Sequence, residues 1–187
     1  MVSITSLLLP ILLSAAFVFI VSSIIHMLLP YHKSDRGKLP NEDAVMDALR
    51  PFNIPPGDYS IPYPESIKDM GSPEHIEKMK KGPVMLMTVM KNGPYAMGGP
   101  MALWFVFGVL VSFFAAYVAG RALTPGAHYL AVFRFTGVTA FLAYGLGALQ
   151  ESIWYARPWS TTIKNVFDGL VYALVTAGTF GWLWPVV

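Results

Sequence analysis

Apolar residues in this chain are concentrated in four long runs, separated by polar connections of unequal length. The runs cover Thr5 to Leu29, Pro100 to Ala122, Ala127 to Gln150 and about Lys164 to Val186. Each is close to the length, about 20 residues, that an α-helix needs to cross about 30 Å of hydrocarbon. The pattern predicts an all-α membrane protein, a bundle of four transmembrane helices, with a small mixed helix and strand insert between helices one and two.

The same pattern divides the chain into three parts. Residues 1–30 are assigned to transmembrane helix one, residues 31–97 to the polar insert and residues 98–187 to transmembrane helices two to four. The segment before the first run has no lysine or arginine, and the run is longer than the apolar core of a signal peptide. We therefore expect helix one to be retained as a membrane anchor.

Capping and turn signals predict local structure in the insert. Asn41 followed by two acids predicts a helix that ends before Pro51, and Ser72 followed by proline predicts the start of a second one. Residues 52–64 read as extended chain with turns, and residues 84–90 have the composition of a strand. A small strand pair is predicted between these last two segments.

Composition narrows the class of protein further. The chain is 55% hydrophobic and 13% charged, which is far from an ordinary soluble domain. Its formal charge of +2 is small and its basic residues lie among acids, so nucleic-acid binding is not expected. The absence of cysteine excludes disulfides, thiolate metal sites and cysteine nucleophiles. No phosphate-binding loop, dinucleotide fingerprint or HExxH zinc motif is present, and no cofactor is predicted.

Basic residues set the expected orientation in the membrane. Lys33, Arg36 and Lys38 follow helix one directly, and the connection between helices three and four carries two more bases. By the positive-inside rule, the insert is expected in the cytoplasm and both termini outside, in a multi-pass protein of the cell (inner) membrane. Together with His26 and His32, these three basic residues are candidates for contact with lipid headgroups or a partner.

Small residues recur at intervals of four along three of the helices. Such rows let helix backbones approach closely in lipid, where hydrophobic drive between helices is weak. They predict packing within one bundle; a dimer seam is the alternative. The rows are Gly108, Ser112, Ala116 and Gly120 in helix two, Gly169, Ala173, Ala177 and Gly181 in helix four, and Thr139, Ala143 and Gly147 in helix three.

Charged residues inside membrane segments are functional candidates by default, which singles out Arg134, Glu151 and Asp168. Arg134 is expected to reach the outer surface, and Asp168 the cytoplasmic boundary, where Lys164 or Arg157 would neutralise it. Arg134 and Asp168 therefore belong to opposite leaflets and are not expected to form an ion pair.

The four histidines, His26, His32, His75 and His128, are not predicted to form one metal site, because His128 is assigned to the opposite surface. Methionines in the later half of the insert could bind Cu(I), but methionine is also a common packing residue. The sequence therefore predicts no metal site.

Three functional hypotheses remain open. The first is a non-enzymatic accessory or assembly subunit of a larger membrane complex, with membrane lipids and other subunits, or a second copy, as partners. The second is a small oligomeric transporter or channel, although no acid or histidine is expected near the bilayer midplane. The third is an interfacial lipid-modifying enzyme, which requires Glu151, Asp168, His26 and His32 to converge within hydrogen-bond reach or one bridging water.

Overall fold

The computed structural model describes residues 1–186 and is mostly helical. Its elements fall into two compact units, which are described separately. One unit combines Met1–Arg36 with the chain from Ala96 onward, and the other is Gly37–Tyr95. In chain order the elements are α1 (Leu8–Leu28), α2 (Glu42–Leu49), β1 (Gly57–Ile61), α3 (Ile67–Met70), α4 (Pro73–Lys81), β2 (Met85–Val89), α5 (Gly98–Ala122), α6 (Tyr129–Tyr144), α7 (Leu149–Tyr155) and α8 (Trp159–Trp182).

Three helical segments are long and apolar enough to cross a membrane. They are Thr5–Leu28, Gly98–Ala122 and Tyr129–Tyr155, where the last combines α6 and α7. The fourth predicted crossing, α8, is not among them, although it has 24 residues. Lys164 and Asp168 lie in its first half, and threonines and glycines follow, so its hydropathy is lower. Membrane association through three apolar helices is supported, and the count of four crossings is not.

Two apolar clusters show how the long helices run relative to one another. The first joins Leu7 and Ile11 with Ala119, at the end of α5, and Phe180, at the end of α8. The second joins the last half of α1, through Val18 and Ile25, with the middle of α5, the middle of α8 and the end of α6. Successive long helices are therefore antiparallel, and the chain ends of this unit lie together at one end of it.

The small-residue rows of α5 and α8 lie at helix contacts. Gly108, Ser112, Ala116 and Gly120 are all buried, and so are Gly169, Ala173 and Ala177, whereas Gly181 is half-buried. In α6 the contact row differs from the predicted one, because Ala143 and Gly147 are exposed. The buried positions of α6 are Val132, Thr136, Ala140 and Tyr144.

The third predicted helix is interrupted near its end. α6 stops at Tyr144, and a 3-10 turn at Leu146–Ala148 leads into α7. Gly169 of α8 lies directly against this break: a Cβ at Gly169 would come within 2.4 Å of the Cα of Gly145. Two glycines thus let the backbones touch where α6 ends.

The insert has the predicted elements. β1 and β2 form an antiparallel pair in which Asp58 faces Thr88, and the Thr88 hydroxyl donates to the Asp58 carboxylate at 2.6 Å. The strand pair predicted from sequence is therefore confirmed. Ser72 caps α4 by accepting a hydrogen bond from the backbone N–H of His75, whereas Asn41 has a left-handed backbone and makes no side-chain cap for α2.

Candidate functional site

The end of α1 leads into a short connector that turns back onto α8. Leu29 is extended, as expected for a residue before proline, and Pro30 begins a 3-10 helix that ends at Ser34. This turn brings the side chains of Tyr31, His32 and Asp35 into contact with α8. The connector was assigned to the insert from sequence, but it belongs to the helical unit.

Lys164 in the second turn of α8 fixes the connector. Its ammonium donates three hydrogen bonds: to the Tyr31 carbonyl at 2.6 Å, to the Ser34 hydroxyl at 2.8 Å and to Asp35 Oδ1 at 2.8 Å. All three donors of the ammonium are therefore used. Lys164 pairs with Asp35 and not with Asp168, the partner expected from their spacing of four residues.

His32 lies between two carboxylates. Its Nδ1 is 2.6 Å from Asp35 Oδ2, and its Nε2 is 2.7 Å from Asp168 Oδ2. A neutral imidazole has one donor and one acceptor nitrogen, so the tautomer of His32 decides which of the two carboxylates accepts a hydrogen bond from the ring.

Asp168 is the most buried member of the group, with its side chain 3% exposed. Besides His32, it accepts a hydrogen bond from the Tyr31 hydroxyl. His26, in the last turn of α1, places its Nε2 4.0 Å from Asp168 Oδ2 and 3.3 Å from the Tyr172 hydroxyl. We name the set of His26, Tyr31, His32, Asp35, Lys164 and Asp168 the polar centre.

Two connector residues of the polar centre, Asp35 and Tyr31, have shifted pKa values. Burial opposes ionisation of Asp35, but hydrogen bonds from Lys164 and His32 outweigh it and lower the pKa of the carboxyl. Burial, the hydrogen bond to Asp168 and the negative charge of that carboxylate raise the pKa of the Tyr31 hydroxyl. Asp35 is therefore an anion at neutral pH, and Tyr31 a hydrogen-bond donor.

The polar centre combines a buried carboxylate with an accessible imidazole. The His26 side chain is 50% exposed, whereas that of His32 is 11% exposed. One ring nitrogen of each histidine and one oxygen of Asp168 all lie within 4.8 Å of one another. Such a set can transfer protons or hold a cation, and an external molecule can reach it through His26.

The other residues singled out from sequence lie elsewhere. Lys33 and Arg36 are exposed in the helical unit, and Lys38 is exposed in the insert unit. Arg134 is exposed on α6 and forms no ion pair among residues 1–186. Glu151 is paired with Arg157 at 4.0 Å, so it takes no part in the contacts of the polar centre.

Sequence reasoning missed Tyr31, Asp35 and Tyr172 as partners in the site. The signal was present in the segment from His26 to Asp35, where polar groups recur on both sides of Pro30 directly after an apolar run. A proline that turns the chain at a helix end places such groups beside the neighbouring helix. The residues around the proline do not indicate which residue of the neighbouring helix becomes the partner.

No protein-family model matches the chain, and neither a curated protein nor a solved structure shows a significant similarity to it.

Proposed function

We propose that this chain is an interfacial membrane enzyme that performs acid–base chemistry on the headgroup of a lipid or another amphipathic substrate. The convergence of His26, His32 and Asp168 carries the proposal, because the sequence separates the first and last of these residues by more than 140 positions. The hypothesis of a non-enzymatic subunit rests mostly on the absence of catalytic motifs, with the structured insert as its positive feature. The convergence is a positive observation in favour of an enzyme.

His26 is the group that would meet the substrate. Its side chain is half-exposed, and its Nε2 lies near both Asp168 and the Tyr172 hydroxyl. Its other nitrogen, Nδ1, makes no hydrogen bond within residues 1–186. A half-exposed imidazole beside a buried carboxylate is an arrangement that supports acid–base chemistry on a bound substrate.

The position of the polar centre suits a headgroup. His26 lies in the last turn of the apolar helix α1, so it belongs at the boundary between hydrocarbon and water. Lys33 and Arg36 follow in the exposed connector and carry positive charge that attracts anionic lipid. The substrate class favoured by these residues is an anionic amphiphile.

The test uses the full-length protein in vesicles of phosphatidylethanolamine and phosphatidylglycerol. Mass spectrometry of the lipids would follow loss or conversion of headgroups, and His26→Ala is expected to lower the rate at least tenfold. His75→Ala is the matched control, since His75 lies in α4 of the insert and is not among the residues of the polar centre. Unchanged lipids with the wild-type protein, or full activity of His26→Ala, would contradict the proposal.

We also propose that α8 crosses the membrane as a fourth helix, with the insert in the cytoplasm and both termini outside. Support comes from the antiparallel packing of α8 and from the basic residues that follow α1. Because the chain has no cysteine, Ser160→Cys and Trp182→Cys each provide a unique thiol near one end of α8. Impermeant thiol reagents added to intact cells should label the second variant and not the first.

An accessory or assembly subunit is the second candidate. The observation that favours it is the set of large apolar side chains that the insert exposes, among them Phe52 (73%), Tyr63 (74%) and Ile67 (89%). Charged substitutions at these positions, such as Ile67→Glu, should release a protein partner that co-purifies in mild detergent. A partner-free wild-type particle would argue against this function.

The transporter hypothesis has less support. Tyr, Val, Ile and Ala side chains form the cluster between the long helices, and no carboxylate, imidazole or basic group belongs to it. The hydroxyls of Ser14 and Ser112 are buried there without a hydrogen-bond partner within residues 1–186. Two serines do not supply the coupling residue that proton or ion transport requires.

A further inference from the structure

We infer that the polar centre is a binding site for a divalent first-row transition metal ion, with His26, His32 and Asp168 as its ligands. The inference concerns the site of the proposed enzyme and names its cofactor class, so the catalytic role of the metal rests on the proposed function. Metal binding by these three residues does not depend on the proposed function.

The donor set is the first argument. Two imidazole nitrogens and one carboxylate oxygen form the N₂O set that zinc enzymes and non-haem iron enzymes use, with the remaining positions open to water or substrate. The three atoms lie within 4.8 Å of one another, on residues from α1, the connector and α8. Because Asp168 lies on α8, 136 residues after His32, helical periodicity within one element does not produce the cluster.

The distances are the second argument. Ligand atoms about 2.1 Å from a tetrahedral metal ion are about 3.4 Å from one another. The nitrogen of His32 is 2.7 Å from Asp168 Oδ2, and the nitrogen of His26 is 4.0 Å from the same oxygen. Each separation has to change by less than about 1 Å, which small side-chain rotations supply.

The outer partners are the third and most specific argument. Metal-ligating histidines commonly donate their second N–H to a carboxylate, which fixes the ring and its tautomer. Asp35 Oδ2 lies 2.6 Å from His32 Nδ1, so a proton on Nδ1 leaves Nε2 free to face Asp168 and His26. Lys164 holds the other oxygen of Asp35 at 2.8 Å and thereby fixes the orientation of that carboxylate.

The environment of the three proposed ligands also suits a transition metal ion. Asp168 is buried and accepts a hydrogen bond from Tyr31, which leaves its second oxygen for the metal. His26 is the accessible ligand, so the open coordination positions lie on its side, where a headgroup oxygen can bind. Imidazole ligands favour zinc, iron or nickel over magnesium and calcium, whose sites are built from oxygen.

The test measures metal binding directly in detergent-solubilised full-length protein, purified through a tag without histidine and stripped with a chelator. Titration calorimetry with ZnCl₂ should show one saturable site, and MgCl₂ should show none. Co²⁺ added in place of zinc should give a visible ligand-field spectrum that reports coordination by the protein.

Variants assign the site to these residues. His26→Ala is the primary variant, because its half-exposed side chain makes one long hydrogen bond and we expect the variant to fold. It should weaken Zn²⁺ binding at least tenfold, and Asp35→Asn should weaken it about 10- to 100-fold while the Co²⁺ spectrum persists. His75→Ala should bind as the wild type does.

The result that overturns the inference is absence of saturable Zn²⁺ or Co²⁺ binding in the wild type, or wild-type affinity in both His26→Ala and Asp35→Asn. In that case the polar centre is a charge-balanced structural cluster. Zinc binding without lipid conversion would leave the metal site standing and remove the proposed function. Lipid conversion that is insensitive to chelation would support the proposed function and contradict the metal as its cofactor.

Discussion

The two ends of the helical unit are closed by different kinds of interaction. At the end that holds the N-terminus, which we name the apolar end, the Val2 amide donates to the Gly120 carbonyl at 2.8 Å. Phe180 is fully buried there, and the Trp184 indole donates to the Thr124 carbonyl at 3.0 Å. Apolar packing and backbone hydrogen bonds hold this end together.

Towards the opposite end, side-chain charges are added to the apolar packing. The polar centre joins the connector after α1 to α8 through Lys164 and Asp168, and both ring nitrogens of His32 are engaged. Hydrogen bonds between charged groups depend on direction and on every partner, whereas burial of apolar area depends mainly on volume. One end of the helical unit therefore contributes mainly to stability, whereas the other end also carries side chains that can transfer protons or hold a cation.

The largest expected effect is that of Asp168→Ala. Removal of the carboxylate leaves His32 and the Tyr31 hydroxyl without their buried acceptor, and the expected cost is about 3–5 kcal/mol in the free energy of unfolding. Phe180→Leu at the apolar end changes volume without charge and should cost less than about 1.5 kcal/mol. Denaturant unfolding in detergent, followed by helical circular dichroism, compares the two. Equal losses would remove the distinction between the ends.

The next largest loss of stability is expected within a matched pair of glycine substitutions in α8. A Cβ at Gly169 meets the backbone of Gly145 at 2.4 Å, so Gly169→Ala must move α6 and should cost about 1–3 kcal/mol. A Cβ at Gly181 meets the ring of Tyr129 at 2.5 Å. That ring is half-exposed and can rotate away, and the higher helix propensity of alanine offsets about 1 kcal/mol. Thermal unfolding should therefore separate the two variants, and a greater loss in Gly181→Ala would contradict the close backbone contact.

Lys164→Met tests how far the charges of the polar centre hold the connector against α8. The substitution keeps most of the apolar stem and removes three hydrogen bonds to the connector, so the loss should be about 1.5 kcal/mol. Limited proteolysis should then cleave the connector faster. Lys33→Met is the control, because Lys33 is exposed and no hydrogen bond or ion pair of its side chain is found within residues 1–186. Faster cleavage in both variants would show that the effect does not arise from the docking of Lys164.

The smallest effect on stability is expected from His26→Ala. A half-exposed side chain with one long hydrogen bond should contribute within about 0.5 kcal/mol. The same variant should lose metal binding and lipid conversion, so stability and function separate at this residue. Loss of both stability and metal binding would instead indicate a structural role for His26 in the polar centre.

Local signals in the sequence determined most of the secondary structure. Apolar runs of membrane length predicted α1, α5 and the combined α6–α7 segment. Capping and turn signals predicted α2 and α4, and strand-like composition predicted the strand pair, whereas the short helix α3 was not predicted. These signals depend on residues only a few positions apart. The small-residue rows of α5 and α8 also followed from spacing alone, since residues four apart share one face of a helix.

Only the tertiary structure decided how the polar centre is assembled. Lys164 and Asp168 are four residues apart and were expected to pair, but Lys164 binds Asp35, 129 residues away, and Asp168 binds His32, 136 residues away. The choice depends on the turn at Pro30, which places the connector against α8. Spacing along one helix gives the possible partners of a charge, and the packing of a second segment decides which partner is closer.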